Sequence, residues 1–408
     1  MQSEPISSVA LWLVIILAAA RIGGETSARL GQPAVLGELI AGIILGNLRW
    51  TGLRLLEPIK LDPSIDMLAS LGVLILLFEV GLASTVKQMM KVGLSSVLVA
   101  MIGVAVPFAL GWLVTTWLLP AAGAYVHIFL AATLTATSVG ITARVMQDLG
   151  CLNTPEARII LGAAVVDDVL GLIILATVVG FIGASATSQS FSYLTLSTIV
   201  LKATAFLVGA LVVGIIATPQ LFRIAAKLRG RGALLIAGLT FCFLTAWLAA
   251  FAGLAPIVGA FAAGLVLEEL HSRAFVERGE KSLEELIEPL SSFLAPVFFV
   301  LMGMRTDLAS FSGFQTVGLA VALSVAAIVG KQACALGVVG SGIDRLSVGI
   351  GMIPRGEVGL IFANVGLRLT HASRPVVTVA TFSSVVIMVI ATTLVTPPAL
   401  KWSIGRRP

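Results

Sequence analysis

Two adjacent aspartates, Asp167 and Asp168, lie in the middle of an apolar stretch, about residues 156–183, that is long enough to cross a lipid bilayer as a helix. A charged side chain at the bilayer centre costs about 2.5 to 3.5 kcal/mol on insertion scales. Two neighbouring carboxylates also repel each other. Because ionisable residues inside a membrane usually line a path for ions or protons, this pair predicts a site that binds a cation or a proton.

The fifth apolar segment, about residues 124–147, has a run of hydroxyl side chains at 133–142. Serine and threonine oxygens, together with main-chain carbonyls of a broken helix and water, can surround a monovalent cation. The alternative is that these hydroxyls donate to carbonyls within an intact helix, since serine and threonine are ordinary residues of membrane helices. The candidate ligands are Thr135, Thr137 and Ser138.

The twelfth apolar segment, about residues 343–367, contains residues that interrupt a helix. Pro354 removes a main-chain donor, and Gly356 and Gly359 loosen the helix. Backbone groups that are freed at membrane depth must find polar neighbours or face a water-filled cavity. A broken helix is therefore predicted here. Three charged residues are interpreted as secondary or structural charges: Arg355, Glu357 and Glu79.

Lys331 lies about eight residues from the inner end of the eleventh segment, which is deep for a lysine that reaches the membrane surface. A buried ammonium needs a carboxylate partner. Asp167 and Asp168 lie at comparable depth, with Glu79 and Glu357 as lesser candidates. Adjacent helix positions point about 100° apart, so one aspartate can face a cavity while the other faces the lysine.

The composition requires a membrane, because 58% of the 408 residues are hydrophobic and only 12% are charged, against about 25% charged in soluble domains. The net charge of +5 comes from basic residues in short loops, which argues against nucleic-acid binding. Scattered cysteines and histidines indicate neither disulfides nor a zinc site. HExxH, GxSxG, P-loop and GxGD strings are absent. We therefore predict a transporter without a cofactor, and a channel or ion-sensing membrane subunit is the alternative from another class.

Thirteen apolar segments of spanning length predict an all-α integral membrane fold. They cover about 6–21, 33–48, 66–84, 93–119, 124–147, 156–183, 193–217, 232–250, 252–270, 287–304, 314–339, 343–367 and 373–399. With the N-terminus outside, inner loops and the C-terminal tail hold 17 of the 26 lysines and arginines, outer regions hold 7, and two lie within spans. This asymmetry predicts an external N-terminus and a cytoplasmic C-terminus.

The two halves of the chain resemble each other at a constant offset in residue number. GELIAGIIL at 37–45 matches GAFAAGLVL at 259–267, and Gly81 matches Gly303, with an offset of 222 in both cases. Seven spans separate the copies, and an odd number inverts the second copy, as in many secondary transporters. The fifth and twelfth segments would then form two crossed, discontinuous helices. The predicted parts are a first repeat at about 6–183, a linker helix at about 193–217 and a second repeat at about 232–399.

Three motifs, TATSVGIT at 135–142, VVDDVLGL at 165–172 and PRGEVGL at 354–360, together with Lys331, resemble the monovalent cation:proton antiporter-2 family of bacterial exchangers. The resemblance covers nearly the whole chain. Potassium-efflux relatives commonly carry a cytosolic nucleotide-binding domain, but no GxGxxG fingerprint is present here.

The resemblance implies a homodimer in the bacterial plasma membrane. It also implies a moving core that carries the crossed helices, for which we expect residues of about 66–183 and 287–367. The dimerisation elements are expected at about 1–60 and 193–270.

The resemblance further implies electrogenic exchange of protons for Na⁺, and for Li⁺ as well. Asp168 would be the principal carboxylate for cation and proton, and Lys331 would neutralise its partner Asp167 when no cation is bound. Proton and cation would compete for the same negative charge, and this competition would couple their movements. Exchange of potassium for protons is the alternative, because both cations use oxygen ligands.

Overall fold

The computed structural model describes residues 5–48, 56–82, 86–187, 209, 232–252, 255–267, 282–306, 314–355, 366, 370–371 and 374–406. Helices dominate these residues, and a two-residue antiparallel pair joins Thr370–His371 to Arg374–Pro375. In chain order the helices are α1 (Pro5–Arg29), α2 (Ala34–Gly46), α3 (Glu57–Leu61), α4 (Pro63–Leu82), α5 (Val86–Leu118), α6 (Ala124–Thr133), α7 (Val139–Asp148), α8 (Pro155–Thr187), α9 (Ala233–Phe251), α10 (Pro256–Val266), α11 (Leu283–Met304), α12 (Phe314–Gln332), α13 (Arg345–Gly351) and α14 (Val379–Ile404).

Seven of the described helices are long and apolar enough to cross a membrane, and the helices α2, α6 and α10 are shorter but also apolar. The predicted all-α membrane fold is confirmed. Each predicted segment that the structure describes contains a helix. The seventh, about 193–217, lies outside the described residues apart from residue 209.

The chain divides into two compact units. The first unit contains Met1–Met90, Met146–Asn153 and Lys202–Thr306, and the second contains Lys91–Val145, Thr154–Leu201 and Asp307–Pro408.

Helices α4 and α11 run antiparallel through the middle of the first unit. One apolar cluster joins Ile65 and Ala69 of α4 to the 297–304 end of α11. A second cluster joins Phe78, near the other end of α4, to the beginning of α11 around Ile287. Since the early part of one helix packs beside the late part of the other, their directions are opposed, as an inverted repeat requires.

Glycines bring the helices of this unit into backbone contact, and the contacts occur twice. A methyl group on Gly42 would lie 2.2 Å from the main-chain oxygen of Val300, and one on Gly264 would lie 2.2 Å from that of Phe78. The numbers 42 and 264 differ by the repeat offset, as do 78 and 300, so exchanging the two repeats turns one contact into the other. Only glycine fits at such close approaches of membrane helices.

The contact between Gly72 and Leu294 marks the centre of this symmetry. A methyl group on Gly72 would lie 2.3 Å from the main-chain oxygen of Leu294. The residue numbers 72 and 294 themselves differ by 222, the repeat offset. Exchanging the two repeats therefore maps this pair of residues onto itself. A pseudo-two-fold axis therefore passes between α4 and α11 at this point.

The sequence predicts core elements at about 66–183 and 287–367 and dimerisation elements at about 1–60 and 193–270, and the structure contains α4 and α11 in its first compact unit. The physical reason is the set of glycine contacts, since α2 lies on α11 and α10 lies on α4 with only backbone between them. The roles of moving core and dimerisation remain predictions.

The second unit contains most of α5 together with α6, α8, α12, α13 and α14. Helix α14 packs against α12, and an apolar cluster joins both to α6 through residues such as Leu130, Leu323 and Met388. A 3₁₀ turn, Ala333–Gly337, follows α12. The fifth predicted segment is broken into α6 and α7, and in the twelfth α13 ends at Gly351.

Candidate functional site

Helix α8 carries the two aspartates and has a clear start. The Thr154 hydroxyl accepts the N–H of Ala157 at 3.2 Å, and Pro155 occupies the first helical position. The helix then continues through Asp167, which is 1% exposed, and Asp168, which is 9% exposed. Neighbouring positions on a helix face different directions, so the two carboxylates meet different surroundings.

The structure brings Lys331 to Asp167. The ammonium Nζ donates to both carboxylate oxygens, at 3.1 Å to Oδ1 and 3.2 Å to Oδ2. Both side chains are essentially inaccessible to solvent. Coulombic attraction is strong in a medium of low dielectric constant, but desolvating both ions is expensive. Such a pair is a weak source of stability, and removing one partner leaves a costly buried charge.

The two interrupted segments contact each other through their non-helical residues. The N–H of Ser138 donates to the carbonyl of Pro354 at 2.9 Å. The Thr142 hydroxyl donates to Gly351 at 2.7 Å, and the Thr137 hydroxyl donates to Met352 at 3.4 Å. Backbone groups freed by each break are thus satisfied by the other segment, as they must be at membrane depth.

Some hydroxyls of the run turn back to their own segment. Thr133 and Thr135 donate to the carbonyls of Leu130 and Ala132, at 2.6 and 2.8 Å. These are the back-bonds considered as an alternative in the sequence, although they occur at the end of α6 and not inside an intact helix. Thr135, Thr137 and Ser138 are all buried, and their role as cation ligands remains a prediction.

Arg355 is fully buried and binds the break of the fifth segment. Its guanidinium donates to the carbonyls of Leu134 and Ala136, and its own carbonyl accepts the Thr393 hydroxyl. A cation at this place compensates for the partial negative charge at the C-terminal end of α6. Main-chain carbonyls of the broken helix are predicted cation ligands. Two of them, those of Leu134 and Ala136, accept hydrogen bonds from Arg355.

The remaining secondary charges lie elsewhere. Glu79 of α4 belongs to the first unit, where it accepts the Gln147 side-chain amide at 2.8 Å. Glu357 lies outside the described residues. Within the described part of the chain, no three histidine, cysteine or acidic side chains are grouped to hold a metal ion.

A close approach of α5 to Lys331 was missed in the sequence. Gly103 lies beside the ends of Lys331 and Cys334, and Pro107 lies against Gly330. The available signal was the spacing of Gly103 and Pro107, which places them one turn apart on one face of a helix. That signal is too common in membrane helices to identify a site.

Comparison with known sequences gives long matches. Residues 13–402 match the family described as "Sodium/hydrogen exchanger, transmembrane". The chain is similar to the high-affinity Na⁺/H⁺ antiporter NhaS3 of Synechocystis sp. (strain ATCC 27184 / PCC 6803 / Kazusa), with 36% identity. This match covers 97% of this chain and 90% of the relative. It is 33% identical to the Na⁺/H⁺-K⁺ antiporter GerN of Bacillus cereus, covering 97% of this chain and 96% of the relative.

Comparison with solved structures supports the fold. The chain is similar to the sodium proton antiporter MjNhaP1 from Methanocaldococcus jannaschii, with a TM-score of 0.68 and 16% identity. The similarity covers 99% of both chains. At this identity, the similarity shows a shared fold alone.

Proposed function

This chain belongs to the sodium/hydrogen exchanger family, and we propose that it is a secondary active antiporter that exchanges protons for Na⁺ through the Asp167–Asp168 site. It is a multi-pass membrane transporter and not an enzyme. Relatives from Synechocystis and Enterococcus hirae that are at least 30% identical over most of their length are named Na⁺/H⁺ antiporters.

The observation that carries the proposal is the division of charge at the site. The Lys331 ammonium compensates for one carboxylate, Asp167, through two hydrogen bonds. The adjacent Asp168 brings a second negative charge to the same turn of α8. One monovalent cation or one proton neutralises that charge, and the two compete because they need the same oxygens.

Competition at one carboxylate gives coupling. The Asp168 carboxylate must be neutralised before it passes from exposure on one side of the membrane to exposure on the other. It therefore cannot return empty, so cations move in one direction and protons in the opposite direction. If the Asp167–Lys331 pair also exchanges a proton during the cycle, more protons than cations cross the membrane. Exchange would then be electrogenic and would depend on the membrane potential.

The test uses purified protein in proteoliposomes with an internal pH dye. Asp168→Asn keeps the shape of the side chain and removes its charge, and we expect it to abolish Na⁺-driven proton flux. The matched control is Asp66→Asn, which changes an exposed ion pair with Arg305 in the first unit and should leave the flux unchanged. Normal flux in Asp168→Asn would remove this residue from the mechanism.

Exchange of K⁺ is the second candidate function. It is favoured by the 33% identity to GerN, which is named a Na⁺/H⁺-K⁺ antiporter. Titration of the flux with Li⁺, Na⁺ and K⁺ at several pH values separates the candidates. A maximal rate with K⁺ and none with Na⁺ would replace the first proposal by the second.

We also propose a homodimer in a bacterial plasma membrane with an external N-terminus. The support is the family membership and the excess of lysines and arginines in the inner loops. Labelling of single cysteines at the two termini with an impermeant reagent tests the orientation.

A further inference from the structure

One face of α5 lies against Lys331 and the residues on either side of it. At three places along this face, a glycine on α5 or on the neighbouring segment permits a close approach. A methyl group on Gly337 would lie 2.6 Å from the Val99 nitrogen, and one on Gly330 would lie 2.9 Å from Pro107 Cα. Helix α5 is thus held against α12 and the 3₁₀ turn at both ends of the lysine.

Gly103 lies between these two contacts and faces the lysine itself. A methyl group there would be 2.7 Å from Cys334 Sγ and 3.3 Å from Lys331 Nζ. Carbon and sulfur do not approach so closely without strain, so an alanine at this position must displace a neighbour. Both neighbours are 0% exposed, so neither can move out into solvent.

We propose that Gly103 is a positioning residue for the Lys331–Asp167 ion pair, which acts by leaving the space that the ammonium occupies. The inference rests on the proposed antiport function and assigns that function a further residue. The Nζ atom ends a flexible chain, so it yields more readily than the backbone around it. A small displacement then lengthens the two hydrogen bonds to Asp167.

The electrostatic consequence follows from the groups around Lys331. Asp167 on α8 attracts the ammonium, Arg355 repels it, and Cys334 lies on the turn that follows α12. A displaced ammonium compensates less well for the carboxylate that it binds now. With the ammonium displaced, a proton competes more effectively with the transported cation at the site, so exchange should require a higher pH.

The experiment compares Gly103→Ala with Gly93→Ala in the full-length protein in proteoliposomes. Both glycines lie on α5, but an added methyl at residue 93 meets nothing within 4 Å. We expect the pH of half-maximal exchange to rise by roughly 0.5 unit in Gly103→Ala, in the same direction as in Lys331→Gln. Gly93→Ala should match the wild type.

A second-site change separates positioning from general damage. Cys334→Ala removes the sulfur that the added methyl would meet, so Gly103→Ala/Cys334→Ala should have a profile between wild type and Gly103→Ala. In a Lys331→Gln background, Gly103→Ala should add no further shift, because its effect passes through the lysine. If Gly103→Ala does not fold, the double variant is compared with Cys334→Ala, and its pH of half-maximal exchange should lie above that of Cys334→Ala.

A lower rate with an unchanged pH profile in Gly103→Ala would overturn the inference, since it would indicate a packing role only. A full additional shift in the Lys331→Gln background would also overturn it. Absence of cation-driven flux in the wild type would instead refute the proposed function.

Discussion

The internal repeat is visible in the backbone contacts of the first unit but not in the charged residues of the second unit. In the first unit, the contact of Gly42 with Val300 recurs in the other repeat as the contact of Gly264 with Phe78. In the second unit, the residues that carry charge have no charged counterpart in the other repeat. The corresponding pairs are Asp167 with Val389, Asp168 with Ile390, Lys331 with Ala109, and Arg355 with Thr133.

This difference shows where repetition was kept and where it was lost. Close backbone packing depends on shape and is equally useful in both copies, so Gly42 and Gly264 are both glycine. A buried charge is expensive in a membrane and is tolerated only beside a compensating group. The second unit places Asp167, Asp168, Lys331 and Arg355 once, and the equivalent positions of the other repeat carry uncharged residues.

The largest expected effect comes from breaking the asymmetric set. Lys331→Ala leaves Asp167 as a buried charge without its ammonium, and we expect a loss of about 3–5 kcal/mol in stability. The double variant Asp167→Asn/Lys331→Gln removes both charges and should be clearly more stable than Lys331→Ala. Thermal unfolding in detergent measures both, and a Lys331→Ala protein as stable as the wild type would show that the pair is unimportant.

A smaller effect tests the symmetric unit. Gly42→Ala and Gly264→Ala each place a methyl 2.2 Å from a backbone oxygen, so each should destabilise the protein by about 1–3 kcal/mol. The two losses should be similar because the contacts are images of each other. Gly318→Ala, where nothing lies within 4 Å, is the control and should be neutral or slightly stabilising. One tolerated and one disruptive substitution would contradict the symmetry.

The smallest effect concerns the contact between the two broken segments. Thr142→Val keeps the shape of the side chain and removes the hydrogen bond to Gly351, which should cost about 1 kcal/mol. Thr116→Val, on an exposed face of α5, removes only a back-bond within its own helix and should cost less. Equal melting temperatures for both variants would show that the bond between the segments contributes no stability.

Much of the fold could be predicted from the sequence because membrane helices leave direct signals. Apolar length fixed most spans, and the constant offset between matching motifs indicated the repeat that appears as paired contacts in the first unit. The hydroxyl run predicted the break between α6 and α7. The assignment of α4 and α11 to the first unit could not be predicted, because it depends on which helix faces glycine contacts bring together.

The site was predictable in its residue types and less so in its contacts. A deep lysine requires a carboxylate, but the choice between Asp167 and Asp168 depends on the rotation of α8, which one sequence does not determine. Arg355 was interpreted as a secondary or structural charge, and it binds main-chain carbonyls that are available only because the helix is broken. Gly103 carries no chemical group, so its importance depends entirely on its neighbours.

The central claim is that a cation and a proton compete for Asp168. Isothermal titration calorimetry of Na⁺ binding to the purified protein tests it most directly, when it is repeated in buffers with different ionisation enthalpies to count released protons. We expect Na⁺ binding to release protons and both binding and release to disappear in Asp168→Asn. Binding of Na⁺ without proton release, or undiminished binding in Asp168→Asn, would contradict the claim.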